Sequence, residues 1–239
     1  MRDFFNALRP YNVFHPKVRL GPPEDGGYVV NEIMLDKSTC LMTYGVGGDM
    51  RYEIDYCGRY QKNAYLFDHT IAPGAWKEGR LIFTPEGLGF GPRCKDVFEH
   101  YSDLNLSGDI LLKIDIEGGE YDYFFKTDVA GLSTFTTGIL LEIHTTSAPK
   151  CRDAFVGIME RLLQYYMVTH IHGNNHDLCW EFQGYPIPNA FELTLINRKY
   201  VTTYKLDTET YPQYKLDVPN KWNTPDYNLT FIENLTDRE

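Results

Sequence analysis

The sequence predicts an α/β fold: one mostly parallel sheet with helices on both faces. Short apolar runs of strand length alternate with helix-length amphipathic segments, the rhythm of successive βα units. The first core strand also runs directly into a glycine-rich turn and then a helix, the arrangement found at the carboxyl edge of doubly wound sheets. The chain has 239 residues, 43% of them hydrophobic and 15% aromatic, enough for one such domain with a substantial core but cramped for two.

In chain order, residues 1–38 read as a lid or substrate-side segment. They contain Gly21-Pro22-Pro23-Glu24-Asp25-Gly26-Gly27-Tyr28, a turn whose glycines permit close backbone approach to a ligand. The core spans residues 39–204. Its predicted strands are Thr39 to Tyr44, Ala64 to Phe67, Leu81 to Thr84, Ile110 to Ile114, Gly138 to Ile143, Met167 to Ile171 and Phe191 to Asn197. Helical spacing or helix-forming composition marks Tyr52 to Tyr60, Cys94 to Tyr101, Tyr121 to Lys126 and Arg152 to Tyr166. The last of these sets Phe155, Ile158, Met159, Leu162 and Leu163 on one face. Residues 205–239 are rich in Tyr, Pro, Asn and Asp and read as an extended tail packed on the domain or on a second copy of the chain, so a homo-oligomer is open.

Charge narrows the partners. A formal net charge of -10 repels polyphosphate backbones, so nucleic acid is not an expected partner, although a few local cations can still hold a small charged molecule. No run of 18 apolar residues exists and the first residues lack a signal-peptide pattern, so no membrane insertion and a cytoplasmic location are expected. The five cysteines form no CxxC pair and indicate neither a disulfide framework nor a thiolate zinc site.

The predicted strand ends carry the chemistry. Tyr44-Gly45-Val46-Gly47-Gly48-Asp49 is a turn that lets a cofactor approach the backbone. Asp68 ends the next strand 20 positions after Gly48, where a carboxylate would accept from ribose hydroxyls. Gly87-Leu88-Gly89 follows the third strand and could lie along an adenine. The near-continuous apolar run Ile110 to Ile114 stops at Asp115-Ile116-Glu117-Gly118-Gly119-Glu120, placing three carboxylates at one strand end. A cation, a protonation shift or basic neighbours must offset their repulsion. Glu120 fits the start of the following helix, where the helix dipole favours an acid.

Glu142 and His144 lie two apart on one strand and share a face. His170, His172, Asn174 and Asn175 cluster around the end of another. If these strands neighbour the Asp115 strand, then Asp115, His144 and His172 could offer one carboxylate and two imidazoles to a divalent ion, with coordination positions left open.

Leu112-Lys113-Ile114-Asp115-Ile116-Glu117-Gly118-Gly119-Glu120 resembles the hallmark of the FkbM-type methyltransferases. The same family pattern is echoed by Tyr44 to Asp49, Phe67-Asp68, Leu141 to His144 and Asp25 to Tyr28, so the resemblance covers roughly residues 19–200. It implies a Rossmann-like methyltransferase sheet with a last antiparallel strand, here Phe191 to Asn197. It also implies S-adenosylmethionine as cofactor, with Tyr44, Gly45, Gly47, Asp49, Asp68, Leu88 and Asp115 as the candidate residues that bind it. His172 to Asn175, with Pro186-Ile187-Pro188 and Phe191 to Thr194, resembles a subgroup close to bacterial sugar O-methyltransferases. Some of those act on nucleotide-linked sugars in capsule polysaccharide assembly with the help of a divalent ion.

The resulting expectation is methyl transfer to a sugar hydroxyl, assisted by Fe2+, Mn2+ or Mg2+. Asp115, His144, Glu117 and Glu142 are the candidate catalytic residues; Asp25, Tyr28, His170, Asn174 and Asn175 are the candidates for binding the substrate. Two alternatives stay open. One is a metal-free enzyme with His144 as general base. The other is an NAD-dependent oxidoreductase, because a glycine turn and a ribose acid do not by themselves identify the adenosine ligand.

Overall fold

A computed structural model describes residues 3–72, 77–176 and 178–232. Seven strands build most of the central sheet: β1 (Cys40–Tyr44), β2 (Asn63–Phe67), β3 (Leu81–Thr84), β4 (Ile110–Ile114), β5 (Thr136–His144), β6 (Tyr166–Gly173) and β7 (Ala190–Asn197). Their order is β6-β7-β5-β4-β1-β2-β3, and a two-residue strand, Lys77–Glu78, folds back antiparallel on the β3 edge. β7 runs antiparallel to both β5 and β6, while β5, β4, β1, β2 and β3 pair in parallel. The helices are α1 (Asp3–Ala7), α2 (Glu32–Lys37), α3 (Arg51–Tyr60), α4 (Val97–Asp103), α5 (Glu120–Lys126), α6 (Val129–Thr134) and α7 (Pro149–Leu163).

Alternation along the strands sorts the sheet into two faces. Leu112, Ile114, Leu141, Ile143, Leu193 and Leu195 belong to the apolar cluster that includes Phe4 of α1, Val97 of α4, Phe124 of α5, Leu132 of α6 and Phe155 of α7. Leu41, Leu111, Leu140 and Ile196 belong to the other cluster, with Met34 and Leu35 of α2 and Tyr52 and Tyr56 of α3. Helices therefore cover both faces. The helix expected from Cys94 starts only at Val97. Cys94 and Lys95 are drawn into a short strand pair with Gly87 and Leu88, and Asp96 then caps α4. Its capping box, in which the Asp96 side chain and Glu99 satisfy each other's backbone N–H groups, is worth about 1 kcal/mol.

Part of the N-terminal segment packs into the core. A hairpin, Lys17–Leu20 with Tyr28–Asn31, lies on the second face, where Leu20, Tyr28 and Val30 join the α2 and α3 cluster. Of the segment expected to form a lid, the hairpin and α2 each bury one side on the sheet, and the turn between the hairpin strands is the part that lines the cavity. The tail packs on its own domain. Lys205–Leu206 pairs with Tyr11–Asn12, and Tyr211, Leu229, Phe231 and Ile232 are buried. The last part of the expected tail, 233–239, lies outside the described residues.

The sheet order reverses between β1 and β4. From β1 the chain moves outward through β2 and β3, then returns to place β4 on the other side of β1. This opens a crevice at their carboxyl ends, the usual ligand position in open α/β sheets. Backbone contacts hold the base of the crevice. Asp115 N donates to Tyr44 O at 3.1 Å, and Gly45 N donates to Phe67 O at 3.1 Å. Gly45 has φ +76°, and a Cβ at this position would stand 1.4 Å from Asp115 O.

This contact generates a stability test. Gly45→Ala must push β1 and β4 apart and adopt a left-handed conformation, so it should cost roughly 3 kcal/mol or more in urea unfolding or fail to fold. Gly48→Ala, whose Cβ would meet no described atom within 4 Å, should cost less than about 1 kcal/mol. Equal losses at the two positions would contradict the contact.

Candidate functional site

A cavity of about 280 Å3 opens at the reversal between β1 and β4. It is lined by Gly45 to Asp49, Arg51 and Tyr52 from the glycine turn and α3, by Lys113, Asp115 and Glu117 from the end of β4, and by Glu24, Asp25 and Gly26 from the hairpin turn. The structure thus brings the glycine turn, the Asp115 strand end and the N-terminal turn around one space. Arg51 closes part of the rim by bonding Asp49 and Glu24. A larger cavity, about 480 Å3, lies by the opposite face against α1 and α7 and is lined by Phe4, Arg152, Asp153, Val156, Gly157, Glu160 and Phe182. Asp153 and Glu160 there are exposed, unlike the buried acids of the sheet's carboxyl end.

The period of two places Lys113 and Asp115 on the same side of β4, and Glu142 and His144 on the same side of β5. Glu142 stands opposite Glu192 of β7, and Glu192 stands opposite His172 of β6. A polar row therefore crosses the carboxyl end of the sheet. Tyr28 reaches it from the hairpin: its hydroxyl donates to Glu142 at 3.1 Å and lies 3.4 Å from Asp115. Asn174 donates to Glu142 at 3.1 Å and approaches Asp25 at 3.5 Å. Burial, reinforced by Asp115, Glu192 and Asp25, holds the Glu142 carboxyl well above the usual carboxylate range. Burial likewise pushes Asp115 up to about 6, against the pull of Lys113. Protonation shifts, one of the three remedies for crowded acids, thus operate here.

His144 sits at the mouth of this row. Its Nδ1 lies 3.6 Å from buried Glu120, and its Nε2 lies 3.4 Å from Glu117 and 4.0 Å from Glu142. Glu120 starts α5 and also accepts from Ile116 N at 3.0 Å, so it closes the turn after β4 and backs the imidazole. Glu117 has a left-handed backbone, φ 56°, and a mostly exposed carboxylate. Glu120, ahead of Glu117 and Asp115, raises the His144 pKa despite partial burial.

The expected metal set needs correction. Asp115, His144 and His172 do not come together, because β7 inserts between β5 and β6. That leaves roughly 10 Å between the backbones bearing His144 and His172. His172 is 1% exposed, and both ring nitrogens are occupied: Nδ1 by Glu192 at 3.0 Å and Nε2 by Asp226 at 3.0 Å. Burial alone would lower its pKa, but these acids push it up to about 10. Among the described residues no group of three His, Cys, Asp or Glu side chains is arranged to hold a metal ion.

Two expected substrate contacts also change. His170 is buried and bonds Asp217 at 2.7 Å. Asn175 donates to Thr224 O at 2.8 Å and accepts from Lys221 N at 2.8 Å. Both anchor the tail instead of facing the cavity. Sequence reasoning missed that the tail roofs the polar row: Asn220 donates to Asp25 at 2.8 Å and to Glu192 at 2.5 Å. It also missed Glu24, Arg51, Tyr52 and Lys113 as cavity walls. A hydrophilic tail carries no periodic signal, although its Asp and Asn residues match the histidines and acids they meet.

Asp68 and Leu88 are not among the cavity walls. Asp68 is buried and accepts from Gly47 N at 2.9 Å and from Thr70 N at 2.8 Å, bracing the glycine turn from below. Leu88 is packed into the core cluster on the α4 and α7 side. Tyr44 is buried, stacked on Phe67, and its hydroxyl pairs with His100 at 3.0 Å.

No protein-family model, curated protein or solved structure matches the chain.

The pairing of Glu120 with His144 is measurable by NMR titration. Glu120→Gln should move the His144 midpoint down toward the ordinary imidazole value of about 6.5, because it removes the carboxylate that favours the charged ring. An unmoved midpoint would show that Glu120 does not set the basicity of this ring.

Proposed function

We propose that the protein is an S-adenosylmethionine-dependent O-methyltransferase of the FkbM type, with a Rossmann-like methyltransferase fold, acting on a hydroxyl of a sugar or nucleotide-linked sugar. One observation carries the reading: the cavity at the sheet reversal joins the glycine turn to the Asp115 strand end, with His144 beside the latter. The residues present suit the cofactor. Gly47 and Gly48 offer bare backbone, and Asp25, Asp49, Asp115 and Glu117 place negative charge around a cationic sulfonium.

The acceptor side favours a polyhydroxyl compound. Asp25, Asp115 and Glu117 line the cavity with carboxyl oxygens, and Glu142 and Glu192 stand behind them in the enclosed row, where Tyr28, Asn174 and Asn220 meet their oxygens. Sugar hydroxyls would add donors to this acceptor-rich wall.

The cofactor supplies an electrophilic methyl group when bound. The chain must align the acceptor oxygen for in-line attack and remove its proton. In the neutral state, His144 Nε2 takes that proton, while Glu120 behind Nδ1 stabilises the imidazolium that results. Glu117 is exposed and can yield its place near Nε2 to the acceptor. Because the His144 pKa is raised, the base is free only at higher pH, and the rate should climb as pH passes above the ordinary imidazole value. The separation of His172 from the other two expected ligands favours this metal-free route over the metal-assisted one.

The test has two stages. Thermal shifts with S-adenosylhomocysteine and with NAD should show stabilisation by the former alone; stabilisation by NAD alone would favour an oxidoreductase. Labelled methyl transfer is then followed by mass spectrometry across nucleotide-sugars and glycans. Product should form after thorough chelation, and His144→Ala should reduce turnover on the order of 100-fold or more. Activity that vanishes on chelation and returns with Fe2+, Mn2+ or Mg2+ would overturn the metal-free route, and unchanged turnover in His144→Ala would overturn the base.

A further inference from the structure

One wall of the cavity holds a buried cation. Lys113 is 5% exposed and lines the cavity, where its ammonium meets an acid only at ion-pair distance. Glu53, its ion-pair partner, stands at 3.8 Å, beyond hydrogen-bond reach, and the Tyr28 and Tyr52 rings lie 5.0 and 5.9 Å from Nζ. Arg51, the other cation lining the cavity, is held by Asp49 and Glu24. Tyr52 provides an independent second signal: it is 2% exposed, lines the same cavity, and its hydroxyl has no partner among the described residues.

A buried ammonium offers up to three donors and a phenol one. Leaving the buried Tyr52 hydroxyl without an acceptor is costly, and with the Lys113 ammonium on the same cavity wall it points to an anion that supplies acceptors to both. The acids elsewhere on the wall, Asp25, Asp49, Asp115 and Glu117, would repel a multiply charged phosphate more strongly than a single carboxylate. They would also attract an ammonium beside that carboxylate. A zwitterionic α-amino-acid end matches this arrangement of opposite charges.

We infer that Lys113 and Tyr52 form the subsite for the carboxylate of the cofactor's amino-acid end. The assignment rests on the proposed S-adenosylmethionine reading. It places the amino-acid end against α3 and the carboxyl end of β4, and turns the sulfonium toward the Asp115 and His144 side.

Calorimetric titration of the full chain with S-adenosylhomocysteine and with 5′-methylthioadenosine, which lacks the amino-acid end, tests it. Wild-type protein should bind the first more tightly. Lys113→Met should weaken S-adenosylhomocysteine binding on the order of 10- to 100-fold while leaving 5′-methylthioadenosine within about threefold. Tyr52→Phe, which preserves the packing and serves if the lysine variant does not fold, should weaken S-adenosylhomocysteine about threefold to tenfold and spare the shorter ligand. Folded variants that keep wild-type affinity for S-adenosylhomocysteine, or that lose both ligands equally, overturn the subsite but leave the cofactor reading standing. A Lys113→Met protein that loses inorganic pyrophosphate binding and keeps S-adenosylhomocysteine also overturns it, assigning the lysine to an acceptor phosphate. Wild-type protein that binds neither adenosine compound overturns the cofactor reading itself, and the subsite with it.

Discussion

The close approach of Gly45 to the backbone of Asp115 underlies the geometry of the site. β1 and β4 are neighbours in the sheet but are separated in sequence by β2, β3 and α4, and their carboxyl ends must diverge to leave a crevice. They diverge only after the turn beyond Tyr44 has passed against Asp115 O, an approach that leaves no room for a side chain. The Asp115 N–H bond to Tyr44 O holds the two ends together, and the Asp68 carboxylate braces Gly47 from the next strand. The cavity is therefore framed by backbone, which a ligand cannot easily displace.

Around that frame the chain concentrates buried acids that weaken the fold unless they are matched. Burial and the neighbouring acids hold the Glu142 carboxyl well above the usual carboxylate range, and donors from Tyr28 and Asn174 meet its oxygens. Glu192 instead faces protonated His172, whose other nitrogen meets Asp226 of the tail. The tail is thus tied to the acid row by polar bonds as well as by the burial of Tyr211, Leu229 and Phe231. Packing and electrostatics converge on one arrangement: the hairpin, sheet end and tail enclose the row, leaving the cavity open beside the glycine turn.

All seven principal strands were legible because each is a short apolar run bounded by turns, and β4 showed most clearly as a strand buried on both faces. The strand boundaries were less legible; β5 extends from Thr136 to His144 because its polar carboxyl end pairs with β7. The hairpin at Lys17–Leu20 and Tyr28–Asn31 was hidden by its short strands and long turn, and α6 by its small-residue composition. The glycine turn and Asp115 were recoverable as site residues because strand-end motifs have local meaning. The distance of His172 from His144 was not, because it depends on a sheet order in which β7 separates their strands. The tail contacts were equally hidden: His172 and Asp226 are 54 positions apart, and no local pattern links them.

The most direct measurement is a crystal structure of the protein grown with S-adenosylhomocysteine. The ligand is expected in the cavity between β1 and β4, with its sulfur on the Asp115 and His144 side and its amino-acid end beside Lys113 and Tyr52. Ligand density in the Phe4 and Phe182 cavity, or a structure at saturating ligand with the β1–β4 cavity filled only by water, would contradict that placement.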